Sequence, residues 1–199
     1  MKKLAAAFLL AVIGFAASPV RADDGQNTTV KDDQARCLAK NIYHESRGEG
    51  ATGMVAVANV TLNRVREDDD QPCHVVYERN RVACQFEWTC HAFLPVEKDR
   101  DSWEKALAVA HKALEGKLDD VTSGATSFRR CANRMSLKGL KLTRVIGHHC
   151  FFQPKDSEGK GVYDPDHPHT LSTPMNLSYT FMKNDEGYSL VPRGERLTL

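Results

Sequence analysis

Residues 37–66, CLAKNIYHESRGEGATGMVAVANVTLNRVR, carry two helical patterns joined by a polar elbow, His44-Glu45-Ser46-Arg47-Gly48-Glu49-Gly50. In the first, Ala35, Leu38, Ile42 and Glu45 follow one another at steps of three or four, so they share one helix face. A carboxylate that continues an apolar stripe is costly unless it is paired or protonated. Gly48 is the expected helix stop, less than a turn beyond Glu45. Glu45 can therefore face a cleft while its backbone stays anchored. The second helix opens near Thr52 and turns Val55, Asn59, Leu62 and Val65 inward. Arg64 and Arg66 fall in its last turn, where cations suit the dipole.

The chain has 199 residues. Residues 1–22 have the make-up of a signal peptide: Lys2 and Lys3, an apolar run from Leu4 to Ala17, then Val20-Arg21-Ala22 with small residues at −3 and −1. The apolar run is shorter than the roughly 20 residues that a membrane span needs. No transmembrane anchor is expected after cleavage. Removal of 22 residues from 199 leaves 177, enough for one domain with a real core. It also takes away three cations and no acid, moving the formal charge from +1 to −2. A chain so close to neutral has no global pull toward nucleic acid.

The six cysteines, Cys37, Cys73, Cys84, Cys90, Cys131 and Cys150, are even in number and follow a secretory segment. That combination reads as disulfides formed in an oxidising compartment, periplasmic or extracellular. No C-x-x-C pair suggests a zinc site. Asp164, Asp166, His167 and His169 lie around Pro165 and Pro168, which reads as a proline-fixed loop; no metal and no cofactor are assigned.

Residues 23–34 are polar and without periodicity, a flexible leader by composition. Residues 73–78 form a short helix or an extended segment. Residues 81–93 are loop-like; Phe86 and Trp88 there either plug the core or present a ring to a ligand, with Gln85 offering its amide. Residues 101–116 are a helix capped by Asp101, with Glu104 at N3, an apolar face of Trp103, Ala106, Leu107, Ala110 and Leu114, and Gly116 as its stop. His111 is a surface residue. Residues 124–128 and 145–152 read as two paired strands, and His149 is either a buried hydrogen-bonding group or a participant in chemistry. No repeat or second domain is visible, so residues 35–199 are taken as a single domain and the chain as a monomer.

Four stretches, in order, resemble the SleB-like cell-wall hydrolases. They are Asn41 to Glu49 against that family's "E-A-R-G-E", Asn59 to Val65 against "V-x-L-N-R-V", Gln85 to Thr89 against "Q-F-S-W-T", and Gly147 to Phe152 against "I-G-x-H-x-F-Y". The resemblance covers about residues 35–152. It implies an α+β fold, a lysozyme-like helical core with a small antiparallel β-sheet, stabilised here by disulfides. It implies peptidoglycan glycan strands as the partner and Glu45 as the catalytic residue. Tyr43, Arg47, Gln85, Trp88, Thr126, Phe128 and His149 are the substrate-binding candidates, with Phe86 packed inside. The chain departs from the family at Glu87, where serine is usual, and at Ser127, where histidine is usual.

Breaking a glycosidic bond needs an acid for the leaving oxygen and stabilisation of an oxocarbenium-like centre. Only Glu45 continues an apolar helical face, the setting that keeps a carboxyl protonated near neutrality. Glu49 lies past Gly48 and is expected to brace the elbow, for instance against Arg47. A single acid points to lytic transglycosylation, in which the sugar's own C6 hydroxyl replaces water. The competing readings are a muramidase with a second carboxylate, a zinc amidase sensitive to chelator, and a non-catalytic wall-binding module indifferent to Glu45.

Overall fold

The computed structural model describes residues 24–91, 99–131, 138–155 and 177–193; residues 1–22, read above as a signal peptide, and residues 164–169, read as a proline-fixed loop, lie outside them. The centre of the fold is α2, Gly50–Glu67. Its run of Met, Val and Ala is apolar on every side rather than along one stripe, and residues 53–61 are all buried. Such a helix must be enclosed by other elements. Helix α1, Asp24–Ser46, lies across it, and α3, Pro72–Tyr77, and α4, Arg100–Leu114, complete the helical layer. Ala35, Leu38 and Ile42 are fully enclosed, as the α1 stripe predicts. Burying a Leu or Ile side chain stabilises a fold by about 1.5–3 kcal/mol.

Strands β1 (Ser127–Arg130), β2 (Leu140–Ile146) and β3 (His149–Pro154) make an antiparallel sheet in the order β1-β3-β2. Ser127 lies opposite Phe152 and Arg130 opposite His149. A separate hairpin, β4 (Ser178–Asn184) and β5 (Gly187–Arg193), covers α2 and α4. It is fixed by Tyr179 N–H donating to Thr52 Oγ1 (2.9 Å) and by Lys112 Nζ donating to the Leu190 carbonyl (3.1 Å). The fold is thus α+β, as expected.

Three disulfides pair all six cysteines. Cys37–Cys73 joins α1 to α3, Cys84–Cys90 closes the loop containing Gln85 to Thr89, and Cys131–Cys150 ties the end of β1 to β3. No helix of the described residues is long and apolar enough to cross a membrane.

Several local expectations are corrected. The polar stretch from Asp24 to Gln34 is not irregular but extends α1 toward the N-terminus. Residues 145–152 are not one strand: Gly147, at φ +56°, and His148 form a tight turn between β2 and β3. It is β3 that pairs with β1. Helix α4 begins one residue early, capped by Asp99, whose carboxylate accepts from Ser102 N–H (3.1 Å). Asp101 instead pairs with Lys105, and Glu104 with Arg100. Val109 and Ala113 replace Leu114 on the buried face, and His111 is exposed as read.

Candidate active site

Glu45 sits in the last turn of α1, half-buried, and among the described residues its carboxyl takes part in no hydrogen bond. Burial pushes its pKa from the ordinary 4.5 up to about 7; the nearby Glu87 carboxylate adds to the rise, and Arg64 opposes it. Near neutrality a large share of Glu45 is therefore the neutral acid.

Arg64 of α2 and Glu87 of the loop closed by Cys84–Cys90 are the charged groups that act on Glu45. From α1, Asn41 is fully buried and works in both directions. Its Nδ2 donates to Thr61 Oγ1 on α2 (3.0 Å), and its Oδ1 accepts from Trp88 Nε1 (3.0 Å). The Trp88 ring stacks on His44, with centroids 4.4 Å apart. Asn41 thereby links α1, α2 and the loop closed by Cys84–Cys90. Burial, then the Arg47 and Lys40 charges, lower the His44 pKa, which favours a neutral imidazole against the indole.

From α2, Arg64 reaches three groups. Its Nε donates to the Thr126 carbonyl, its guanidinium lies over the Phe86 ring, 5.3 Å from the centroid, and its Nη2 faces the Gln85 amide at 2.9 Å, where it donates once that amide is oriented with its oxygen inward, the orientation that satisfies both groups. Phe86 is buried, as expected. It contacts Phe128, whose ring meets His149 edge-on at 5.3 Å. The strand approach is shaped by Asp120, which accepts from Thr122 N–H (2.7 Å), Gly124 N–H (2.8 Å) and Asn63 Nδ2 (3.1 Å). Asn63 Nδ2 also donates to the Ala125 carbonyl (2.8 Å), and Thr126 N–H to the Phe152 carbonyl (3.0 Å).

Glu49, the other carboxylate of the elbow, is committed elsewhere. It does not pair with Arg47. Its Oε2 accepts from His148 N–H (2.9 Å), its Oε1 lies 3.1 Å from His148 Nδ1, and His149 Nδ1 is 3.8 Å away. Burial disfavours its charge, but these donors and imidazoles outweigh that and hold its pKa below the ordinary value. It locks the β2–β3 turn onto the start of α2. A Cβ at position 147 would push this carboxylate aside, and φ is positive there, so the backbone conformation is the main reason for glycine. Burial lowers the His149 pKa against the pull of Glu49, favouring a neutral ring.

The sequence candidates therefore divide. Gln85, Thr126, Phe128 and His149 belong to one connected set with Arg64 and Phe86. Trp88 joins α1 rather than standing free. Tyr43 is 3% exposed, packed edge-on to Trp103, so it belongs to the core rather than to the cleft surface. Arg47 is exposed, with its guanidinium over the Tyr43 ring at 5.1 Å. Ser127, which replaces the usual histidine, donates to the Phe152 carbonyl at 3.4 Å. Glu87 is exposed and pairs with His91 at 3.7 Å.

Sequence reading missed Asn41, Asn63, Arg64 and Asp120 as parts of this arrangement. Asn63 and Arg64 stood inside the "L-N-R-V" stretch, which was a signal. For Asp120, in a short polar connection, there was none.

Comparison with curated proteins and with solved structures returns no match. A family profile described as Cell Wall Hydrolase matches residues 48–152, more than half of the chain. The match begins at Gly48, just after Glu45, and takes in α2, the Gln85–Thr89 loop and the β1–β3 sheet. With its motifs in order along the sequence and more than half of its length matched, the chain belongs to the SleB-like cell wall hydrolase family.

Proposed function

We propose that this cell wall hydrolase cleaves peptidoglycan glycan strands as a lytic transglycosylase, with Glu45 as its acid and base. The observation that carries the reading is the division of labour between the carboxylates. Glu45 is half-buried, free of hydrogen bonds among the described residues, and raised to about 7. Glu49 is held charged by His148, and Glu87 is out in solvent. A single poised acid suits a reaction in which the substrate supplies the remaining groups.

In that reaction the Glu45 carboxyl gives its proton to the glycosidic oxygen as the C1–O bond of a muramic residue breaks. The acetamido oxygen of that sugar stabilises the cationic C1. Glu45, now a carboxylate, takes the proton of the C6 hydroxyl as the C6 oxygen bonds to C1. The acid is restored and the product ends in 1,6-anhydromuramic acid. Gln85, Thr126, Phe128 and His149 are the side chains proposed to line the glycan path. Trp88 is proposed to shape the cleft wall from its place against His44. The three disulfides and the signal-like segment support a periplasmic or secreted location, with the domain acting as a monomer.

Mass spectrometry of soluble products from purified peptidoglycan, digested with and without chelator, tests this. Anhydromuropeptides unaffected by chelator are expected. Reducing muramic ends would instead mean a muramidase using Glu87 as its second carboxylate. Chelator-sensitive release of stem peptides would mean an amidase, and retention on the wall without products a binding module.

A further inference from the structure

Arg64 brings a cation into the site with no carboxylate at ion-pair distance among the described residues; Glu78, Glu67, Asp68 and Glu45 act on it from further away. Among the described residues it forms no ion pair; its partners are the Thr126 carbonyl, the Gln85 amide and the face of Phe86. A half-buried cation whose direct contacts are all neutral is costly to keep, even with carboxylates at longer range. Yet a guanidinium is the one side chain whose planar fork can hold a carbonyl and an amide at once and still lie on a ring. The three contacts belong to three segments, α2, the loop closed by Cys84–Cys90, and the entry to β1. The Asn63 clamp on Ala125 and Asp120 fixes the position from which Arg64 reaches them.

We propose that Arg64 is a positioning residue of the cleavage reaction: it holds Gln85 and Thr126 as the walls of the cleft and presents a fixed positive charge to the carboxylate that Glu45 becomes after giving up its proton. The inference rests on Glu45 being the acid. In the neutral ground state Glu45 gains little from Arg64. As the proton moves to the glycosidic oxygen, negative charge develops on Glu45, and a cation already in place stabilises it without reorganisation. The other charged group facing Glu45 is Glu87, from the loop, which acts in the opposite direction. His44, its neighbour on α1, is held toward neutrality. Arg64 and Glu87 thus bias the same proton in opposite directions.

The test is the pH–rate profile on purified peptidoglycan for wild type, Arg64→Lys and Arg64→Gln. Arg64→Gln is expected to lose roughly 10²-fold in kcat, the scale for removing one preorganised charge-stabilising group. Its alkaline limb is expected to move up by about half a pH unit or more, because an acid that loses a cationic neighbour holds its proton longer. Arg64→Lys keeps the charge and is expected to keep the limb in place. Its KM rises several-fold because an ammonium cannot hold both walls. An unmoved limb in Arg64→Gln, with activity reduced equally at every pH, would make Arg64 merely structural and overturn the inference. If Arg64→Gln fails to fold, Arg64→Lys decides: an unmoved limb with raised KM supports the inference, and a displaced limb or an unchanged KM overturns it. If Glu45→Gln stays active while both Arg64 variants are impaired, the acid assignment itself has failed, and the inference with it.

Discussion

Replacing Glu45 by glutamine should stabilise the protein above neutral pH while removing its activity. In the fold the carboxyl stands at about 7, against 4.5 for the free side chain. Because the folded pKa is the raised one, the stability that the neutral acid contributes is fully present below about pH 4.5. It is lost as pH climbs to about 7, since the unfolded chain ionises first. The gap is about 2.5 pH units at about 1.4 kcal/mol each, or about 3.5 kcal/mol as an upper bound. Glutamine has nearly the same shape and never ionises. The variant should therefore match wild type at pH 4, gain on it between pH 4.5 and 7, and keep a constant advantage above that. For a domain of this size 1 kcal/mol shifts the melting midpoint by roughly 2–4 °C, so the gain at pH 8 should be positive and at most about 7–14 °C. Calorimetry at pH 4, 6 and 8 with the disulfides intact reads this directly. A stability difference that is the same at all three values would refute the reasoning, because only ionisation of a buried carboxyl gives it that pH dependence.

Other perturbations follow from the same contacts. Gly147→Ala forces an unfavourable φ and pushes the Glu49 carboxylate aside; a loss of about 1–2 kcal/mol in urea unfolding is expected. Glu49→Gln should destabilise at neutral pH, with the difference from wild type shrinking in acid, since a lowered pKa contributes stability above the unfolded value and loses it as pH falls. Trp88→Phe leaves the buried Asn41 Oδ1 without its indole donor and should cost about 1–3 kcal/mol, measured by chemical denaturation. Replacing Cys37 and Cys73 together by serine should cost about 2–4 kcal/mol, visible as a lower melting midpoint.

How far these features were legible in the sequence depends on whether the signal is local. The Ala35-Leu38-Ile42 stripe and its continuation by Glu45 were readable because periodicity and a nearby glycine report them directly, whereas the burial of Phe86 was expected only from the family resemblance. The extension of α1 through residues 24–34 was not, because that polar stretch has no apolar face to announce a helix. The β2–β3 turn was hidden for a related reason. Gly147 and His148 sit between residues of strand character on both sides, and only the folded backbone, with its positive φ at Gly147, reveals why glycine is needed there. Partnerships such as Asn41 with Trp88, Asn63 with Asp120, or Arg64 with Gln85 join segments about 20 to 60 residues apart. A single sequence names such residues without saying whom they meet. Tyr43 shows the converse: its place beside the signature stretch suggested the cleft, whereas helix geometry turns it into the core against Trp103.

The most direct test of the central claim is the rate at which Glu45→Gln releases soluble muropeptides from purified peptidoglycan at pH 6, beside wild type and with folding verified by circular dichroism. If Glu45 donates the proton, release should fall by about 10²–10⁴-fold, the contribution of a positioned general acid. A variant that kept most of the wild-type rate would contradict the account and send the search for the acid to Glu87.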